Sequence, residues 1–505
     1  MRNLKPTLTK ALRSKNLKIP NNIRITIERD YMWLKFLSQE QIEKIHSTTL
    51  SILEDVGVLI HDTDFLKFLG DSGATIDLDK KTAKFPPDLL MKSVKKAPRH
   101  VTFYARDPRH NVRFDEDRIY THPLGGAANV FDLDSGTVRA ANRNDVENLT
   151  RLVDALPNIS TATMIVYPND APERLRDIYG VEAILRNTGK NFDATPYTDE
   201  SFPYVIRMIE AVTGEEELKK KPIATVSASP TSPLQFSADV TKIMTRATKH
   251  NLPIAILPCP LAGATSPVTL AGTLVQQNAE MLAGIAMVQM LNPGNPVQYS
   301  PRCIPLDMLT GQACAGVESP IMSVCCVQLA KYYGLPSDVY GLDTDSKVLD
   351  EQAAIERSIS GLLPALAGAN ALSGAGCVES GITASYEQLV IDDEIFSMIF
   401  RATKGIDFTE EKLASDVIKK VVLESSNFLQ QKHTLQHFQS EHFIPKLLNR
   451  AARARWEKMG SKSIVEVAKE KAKKILAEHQ PLPLEEDVQK EIAEIREEAT
   501  KALGA

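Results

Sequence analysis

From about residue 118 the chain repeats one rhythm. A short apolar or β-branched run ends at Pro, Ser, Tyr or Gly, and a stretch with apolar residues at helical spacing follows. The runs are 119–122, 161–167, 192–196, 223–229, 254–258, 297–300, 337–340 and 371–376. They recur every 30 to 43 residues or so, about the length of one strand, one helix and two loops. Helices are expected to open near Asn144, Pro172, Ser201, Pro233, Pro267, Gly311, Lys347 and Ala384. Several of these are prolines, which suit a first helical turn. Eight such units over roughly 290 residues predict an α/β fold, a (β/α)8 TIM barrel. An open doubly wound sheet competes, but no GxGxxG follows the first strand. Residues 129–138 alternate around Asp134-Ser135-Gly136 and predict a β-hairpin inserted before the first helix.

The flanks read differently. Residues 1–100 are expected to form an N-terminal helical cap, with Ser38 and Gln41 as a capping box and Ile42, Ile45, Ile52, Leu53 and Val56 on one helical face. The barrel domain is then 101–404. A C-terminal helical extension, 405–505, is expected to hold helices over 410–431, 446–456, 463–478 and 485–503, with a Pro-Leu-Pro linker at 481–483. Its i,i+4 charge pairs suggest solvated or packing faces.

Composition narrows the class. The 505 residues are 43% hydrophobic and 24% charged, ordinary for a globular protein. A net charge of -5 gives no case for nucleic acid or an anionic membrane as partner. No run of about 18 apolar residues predicts a membrane span; the most apolar stretch, 282–291, is too short. The first twenty residues are basic without the apolar core of a secretory signal, and a mitochondrial-type transit peptide is the minor alternative. Six cysteines without CxxC spacing argue against bridges or a zinc ribbon and for a reducing cytoplasm.

In such barrels the chemistry gathers at the C-terminal ends of the strands. Those positions hold His122, Tyr167, Tyr197, Ser227, Ser229, Tyr299, Arg302, Tyr340, Asp343, Asp345 and Glu379. The four tyrosines, out of twelve in the chain, could box a cationic ammonium against their ring faces, or simply straddle core and water. Asp343, Asp345 and Glu379 could balance a cation, take a proton or bind a metal; the plainer role is to support the next helix, which is preferred for Asp350. Arg302 could clamp a substrate carboxylate or pair with a loop acid. His433, His437 and His442 lack an HExxH glutamate and read as structural, Cys325-Cys326 as core. Gly374-Ala375-Gly376 could offer backbone N–H groups to a phosphate, a weak signal. No metal site is expected.

Three stretches carry a resemblance: NRNDVENLTRLVDALPNI (142–159), YYGLPSDVYGLDTDSKVLDEQAAIE (332–356) and GANALSGAGCVESGITASYEQLVIDDEI (368–395). With GGAANVFDLDSGTVRAANRND (125–145), they resemble the trimethylamine methyltransferase (MttB-like) family over about residues 38 to 460. The resemblance implies a barrel enzyme that moves a methyl group from an amine to the cobalt of a separate corrinoid protein. Founding members carry pyrrolysine and use trimethylamine; relatives without it act on quaternary amines. This chain holds only standard residues, so it resembles the second branch, with glycine betaine the first candidate donor and carnitine, proline betaine or a sulfonium compound the alternatives. A quaternary ammonium leaves as a neutral tertiary amine and needs no proton donor. No DxHxxG corrinoid-binding motif is present, which agrees with corrinoid arriving on a partner. The resemblance leaves a non-catalytic binder of quaternary ammonium solutes as the rival. A homo-oligomer is expected.

Overall fold

Small and β-branched apolar runs make the inner strands, and helices between them cover their outer sides. In the computed structural model, which describes residues 33–114 and 118–504, the parallel strands are β1 (Tyr120–Pro123), β2 (Phe192–Asp193), β3 (Ala224–Ala228), β4 (Ile254–Ile256), β5 (Val297–Tyr299), β6 (Asp338–Tyr340) and β7 (Ala371–Ala375). β2 to β5 form one ladder in chain order, and β6, β7 and β1 form another. In the first, Val226 lies opposite Ile254 and Ile254 opposite Val297. A single bridge, Tyr299 to Ser337, links the two ladders.

The second expected strand is instead a bridged segment. Its polar groups pair one at a time with uneven neighbours: Ala162 N–H donates to the Asn191 carbonyl, while Gly126 and Ala127 N–H groups donate to the carbonyls of Met164 and Ile165. The fold is therefore α/β with mixed parallel and antiparallel sheets, its strands in barrel order without one continuous ladder. The expected hairpin is present, with Asn129–Phe131 antiparallel to Val138–Ala140.

The N-terminal part is not purely helical. It holds α1 (Gln39–Asp55), α2 (Thr63–Asp71) and α3 (Pro87–Val94), and also strands Val58–Ile60, Thr75–Asp77 and Thr82–Lys84. Val58 and Ile60 are buried there, and Leu59 pairs with Gln235 in the loop after β3. The N-terminal part is thus stitched to the loop after β3 by a shared sheet. Ser38 caps α1 in a complete capping box with Gln41. The basic stretch 1–20 lies outside the described residues.

Between the strands run α4 (Arg143–Ala155), α5 (Arg176–Asn187), α6 (Phe202–Thr213), α7 (Glu215–Lys220), α8 (Ala238–Lys249), α9 (Leu270–Leu291), α10 (Glu318–Tyr333), α11 (Glu351–Leu366) and, after β7, α12 (Tyr386–Thr403). Helices start later than the prolines and glycines suggest wherever the loop carries its own strand. Pro233 leads into Gln235–Phe236, and Gly311 sits in a hairpin of Ile304–Asp307 with Gln312–Ala313. Lys347 precedes the true N-cap of α11, Asp350, whose carboxylate accepts from Ala353 N–H at 3.0 Å. No described helix is long and apolar enough to cross a membrane.

The C-terminal part holds α13 (Glu410–Leu413), α14 (Ser415–Leu423), α15 (Lys432–Glu441), α16 (Arg453–Lys458), α17 (Ile464–Glu478) and α18 (Glu486–Leu503). The helix expected over 410–431 breaks at Ala414 and at Ser425, both at positive φ. The one expected over 446–456 begins only at Arg453. By contrast α17 packs on α12 and α4, and α18 on α5 and α6.

Candidate active site

The strands enclose a cavity of about 410 Å³, within the range of small-molecule sites. Alternate strand residues face it: Tyr120 and His122 from β1, Asp193 from β2, Thr225 and Ser227 from β3, Ala255 from β4, Gln298 from β5, Asp338 and Tyr340 from β6, and Ala371 and Ser373 from β7. A hairpin of Thr102–Phe103 with Val112–Arg113 lies across the end where the strands begin. There Phe103 meets Phe114 edge-on at 4.9 Å and Phe114 meets Tyr120 at 5.6 Å.

Four ionisable side chains other than tyrosine and cysteine line the cavity, and three of them form one cluster: His122, Arg302 and Asp338. His122 Nε2 lies 3.0 Å from Asp338 Oδ1, and its Nδ1 lies 2.9 Å from the Pro123 carbonyl oxygen. Arg302 Nη2 donates to Asp338 Oδ2 at 2.7 Å and Nη1 to the Asp338 carbonyl at 2.9 Å. Both members of that pair are buried. Burial alone would push the Asp338 carboxyl up, but Arg302 and His122 outweigh it and hold it far below the ordinary carboxylate range. Burial likewise works against the Arg302 charge, and Asp338 overrides it. Arg302 thus pairs with an acid of the neighbouring strand. Its Nε–H and second Nη2–H carry no bond among the described residues, and its guanidinium carbon stands 5.5 Å from the centre of the Tyr340 ring.

The fourth is Asp193, in a different setting. Its carboxylate accepts from the Thr195 N–H at 2.9 Å, from the Thr195 hydroxyl, and from the Ser227 hydroxyl at 2.8 Å. No cation pairs with it among the described residues. Asn191, two residues earlier on the same wall, donates through Nδ2 to the Tyr104 carbonyl at 2.7 Å and leaves its Oδ1 without a partner. This side of the cavity is therefore electronegative. Tyr167 and Tyr197 border it with ring centres 5.4 Å apart at 83°. Gly126, at φ +88°, makes room for them: a Cβ there would lie 2.8 Å from the Tyr167 hydroxyl.

The cavity thus gathers His122, Tyr167, Tyr197, Ser227, Ser229, Arg302 and Tyr340 of the expected residues. Tyr299 is excluded. It sits one residue out of phase with Gln298, fully buried against α9, where its hydroxyl accepts from Gln277 Nε2 and donates to Asn278 Oδ1, both at 2.9 Å. The three carboxylates expected to be catalytic do not line the cavity either. Asp345 accepts from Ala315 N–H at 2.8 and 2.9 Å and from the Ser380 hydroxyl at 2.6 Å, tying three loops together. Glu379 accepts from the Thr383 hydroxyl at 2.8 Å. Asp343 is buried with its Oδ1 on the Thr344 N–H at 2.9 Å, and burial pushes it up to about 6.

The glycines after β7 build no phosphate cradle. A Cβ on Gly374 would meet the Leu342 carbonyl at 2.1 Å, and Gly376 N–H donates to the buried Asp392 at 2.7 Å. His437 contacts Glu411 at 3.1 Å in the C-terminal part, away from the cavity lining. Cys325 and Cys326 are buried, and all six cysteines are free thiols. Among the described residues no group of three or more His, Cys, Asp or Glu is placed to hold a metal.

Residues 9–503 match the family described as Trimethylamine methyltransferase (MTTB). This chain belongs to that family. Trimethylamine methyltransferase MttB of Desulfitobacterium hafniense is 34% identical over 469 residues, covering 92% of this chain and 94% of that one. A glycine betaine methyltransferase of the same species is 31% identical over 475 residues, covering 93% and 98%. Among solved structures, the monomethylamine methyltransferase MtmB of Methanosarcina barkeri shares the fold, with TM-score 0.50, 11% identity and 87% of each chain covered. Membership of that family supports a methyltransferase role for this chain.

Two cavity residues lie outside the expected set: Asp193, the last residue of β2, and Asp338, the first of β6. An acid within an otherwise apolar strand is costly to bury unless it is partnered, and that cost is the signal that marks them.

Proposed function

We propose that this MttB-family protein transfers a methyl group from a carboxylated quaternary amine, glycine betaine first among them, to the cobalt of a separate corrinoid protein in the cytoplasm. The observation that carries this reading is the division of the cavity. One wall holds the unpaired carboxylate of Asp193 beside the Tyr167–Tyr197 ring pair. The other presents the two unused N–H groups of Arg302. A trimethylammonium group suits the first wall by charge and by ring quadrupole. A carboxylate suits the free edge of the guanidinium.

The reduced corrinoid supplies the nucleophile. When the methyl carbon leaves, the electron pair of its C–N bond stays on nitrogen, and a neutral tertiary amine remains. The ammonium charge disappears in that step, so Asp193 should hold the substrate more tightly than the product. His122 and Asp338 keep Arg302 in place, and Tyr340 packs beneath it. None of these residues needs to move a proton. Orientation and exclusion of water are their contribution. Around the strand ends, Met308 and Leu309 at the tip of the 304–313 hairpin are strongly exposed, apolar contacts suited to a docking corrinoid protein.

The test is anaerobic methyl transfer to a purified, reduced corrinoid protein, read from the cobalt spectrum. The panel contains glycine betaine, carnitine, proline betaine, choline, trimethylamine and dimethylsulfoniopropionate. Loss of the Co(I) spectrum with one carboxylated quaternary amine is expected. Binding of these amines without transfer would overturn the enzymatic reading, and transfer from choline alone would overturn the Arg302 assignment.

A further inference from the structure

One polar side chain inside the cavity has no group to bond. Of the inward residues on β2 to β5, Asp193, Thr225 and Ser227 all make hydrogen bonds to protein. Gln298 lines the cavity at 6% exposure, yet its amide carries no hydrogen bond among the described residues. Burying an amide without a partner is costly. In a small-molecule site that cost is offset when the ligand supplies the partner.

The strand register places this amide between the two charged walls. Ser227 lies opposite Ala255, and Ala255 opposite Gln298, so the three share one level on neighbouring strands. On one side the Ser227 hydroxyl is bonded to Asp193 at 2.8 Å, the ammonium wall. On the other, the chain runs from Gln298 through the end of β5 to Arg302. Between Ser227 and Gln298 stands only the methyl group of Ala255, which also lines the cavity.

We propose that Gln298 binds a hydroxyl of the methyl donor, carried on the carbon chain between its ammonium and its carboxylate; this rests on the reading of the cavity as a site for a carboxylated quaternary amine. Charge is the first argument. A further carboxylate on the ligand would be drawn to Arg302 and a further cation to Asp193. A neutral amide, with one acceptor and two N–H donors, is matched by a hydroxyl, which donates and accepts at a single atom.

Span is the second argument. β2 and β5 are three strand spacings apart in the ladder, roughly 14 Å along the wall. Glycine betaine has a single methylene between nitrogen and carboxylate, and it leaves Gln298 without a partner. A donor that meets both walls with ease has a longer spacer, and that spacer crosses Ala255 beside the Gln298 amide. The donor class is therefore a hydroxylated trimethylammonio acid with several carbons between its charged ends.

The experiment is titration calorimetry on the full chain with γ-trimethylammoniobutyrate, both enantiomers of its β-hydroxy derivative, and tetramethylammonium as reference. The wild type is expected to bind one enantiomer of the hydroxy acid roughly 5- to 100-fold more tightly than the deoxy acid. Gln298→Met keeps a side chain of similar length without the amide. In that variant the preference for the hydroxy acid is expected to vanish while tetramethylammonium binds as before. Ala255→Val is expected to weaken both acids and to spare tetramethylammonium. Equal affinity of the wild type for the hydroxy and deoxy acids would overturn the inference and leave the charged walls standing, because an ordered water would then serve the amide. A preference that survives in Gln298→Met, or acids that bind Ala255→Val undiminished, would overturn it as well. Failure of the acids and of tetramethylammonium alike to bind the wild type would overturn it together with the reading of the site.

Discussion

Replacing Asp343 with asparagine is expected to stabilise the protein, and to do so only as the pH rises. The carboxyl is buried at 4% exposure, and burial moves it from the ordinary 3.8 to about 6. The folded state therefore holds the proton more tightly than the unfolded chain does. Below about pH 4 both states are protonated and the native fold bears no penalty. Between about pH 4 and 6 the unfolded chain releases its proton while the folded state still holds it, so the native fold loses stability, about 3 kcal/mol in full once the pH has passed about 6. Asparagine keeps an oxygen for the Thr344 N–H and never ionises. With an unfolding entropy of about 2.1 cal/mol/K per residue, 505 residues give about 1.1 kcal/mol per degree. The full effect is then about 3 °C in apparent Tm, with about 2 °C of it appearing between pH 4.5 and 7.5. Differential scanning fluorimetry of the two proteins side by side across that interval isolates the effect, since all other titrations are common to both. A Tm difference that stays flat with pH would refute the reasoning. Because Asp343 does not line the cavity, methyl transfer at pH 7.5 is expected to persist.

Asp193→Asn is expected to weaken binding of a quaternary ammonium roughly 10- to 100-fold by titration calorimetry; an unchanged Kd would remove Asp193 as counter-charge. Arg302→Lys keeps the charge facing Asp338 but loses the Nε–H edge, so glycine betaine affinity should fall while tetramethylammonium affinity holds; parallel loss of both would point to a collapsed cavity. Tyr167→Ala should cost about 0.5–2 kcal/mol of cation affinity, whereas Tyr299→Phe should leave affinity alone and lower Tm; the reverse pattern would show that the strand phase is misassigned. Leu309→Asp should slow transfer to the corrinoid protein without changing the Kd for amine, and an unaltered rate would place docking elsewhere.

Local periodicity made much of the fold legible. The capping box at Ser38 and the hairpin around Gly136 are written in a few adjacent residues, so the chain betrays them directly. The strand rhythm after residue 118 was readable for the same reason. The second strand was not, because its pairing depends on a loop, 124–127, whose course no nearby pattern dictates. Site residues depend on phase. In Gln298-Tyr299 the tyrosine is the residue a chemist would choose, yet the inward position belongs to the glutamine, and a shift of one residue turns a side chain to the other face. Asp345 and Glu379 follow the ends of β6 and β7, and only the loops' mutual hydrogen bonds reveal that their oxygens face protein. The Arg302–Asp338 pair spans 36 residues and two strands, a distance over which sequence spacing carries no information.

The aromatic hairpin formed by Thr102–Phe103 and Val112–Arg113 has a kinetic consequence. With Phe103, Phe114 and Tyr120 packed across the strand starts, the amine and the methyl acceptor of the proposed reaction would share the opposite face. Under the proposed reaction the amine would enter before the acceptor protein settles, and the demethylated product would leave after it lifts off. A shared face would impose a compulsory order on the two substrates, so excess acceptor protein should slow turnover by sealing the empty enzyme.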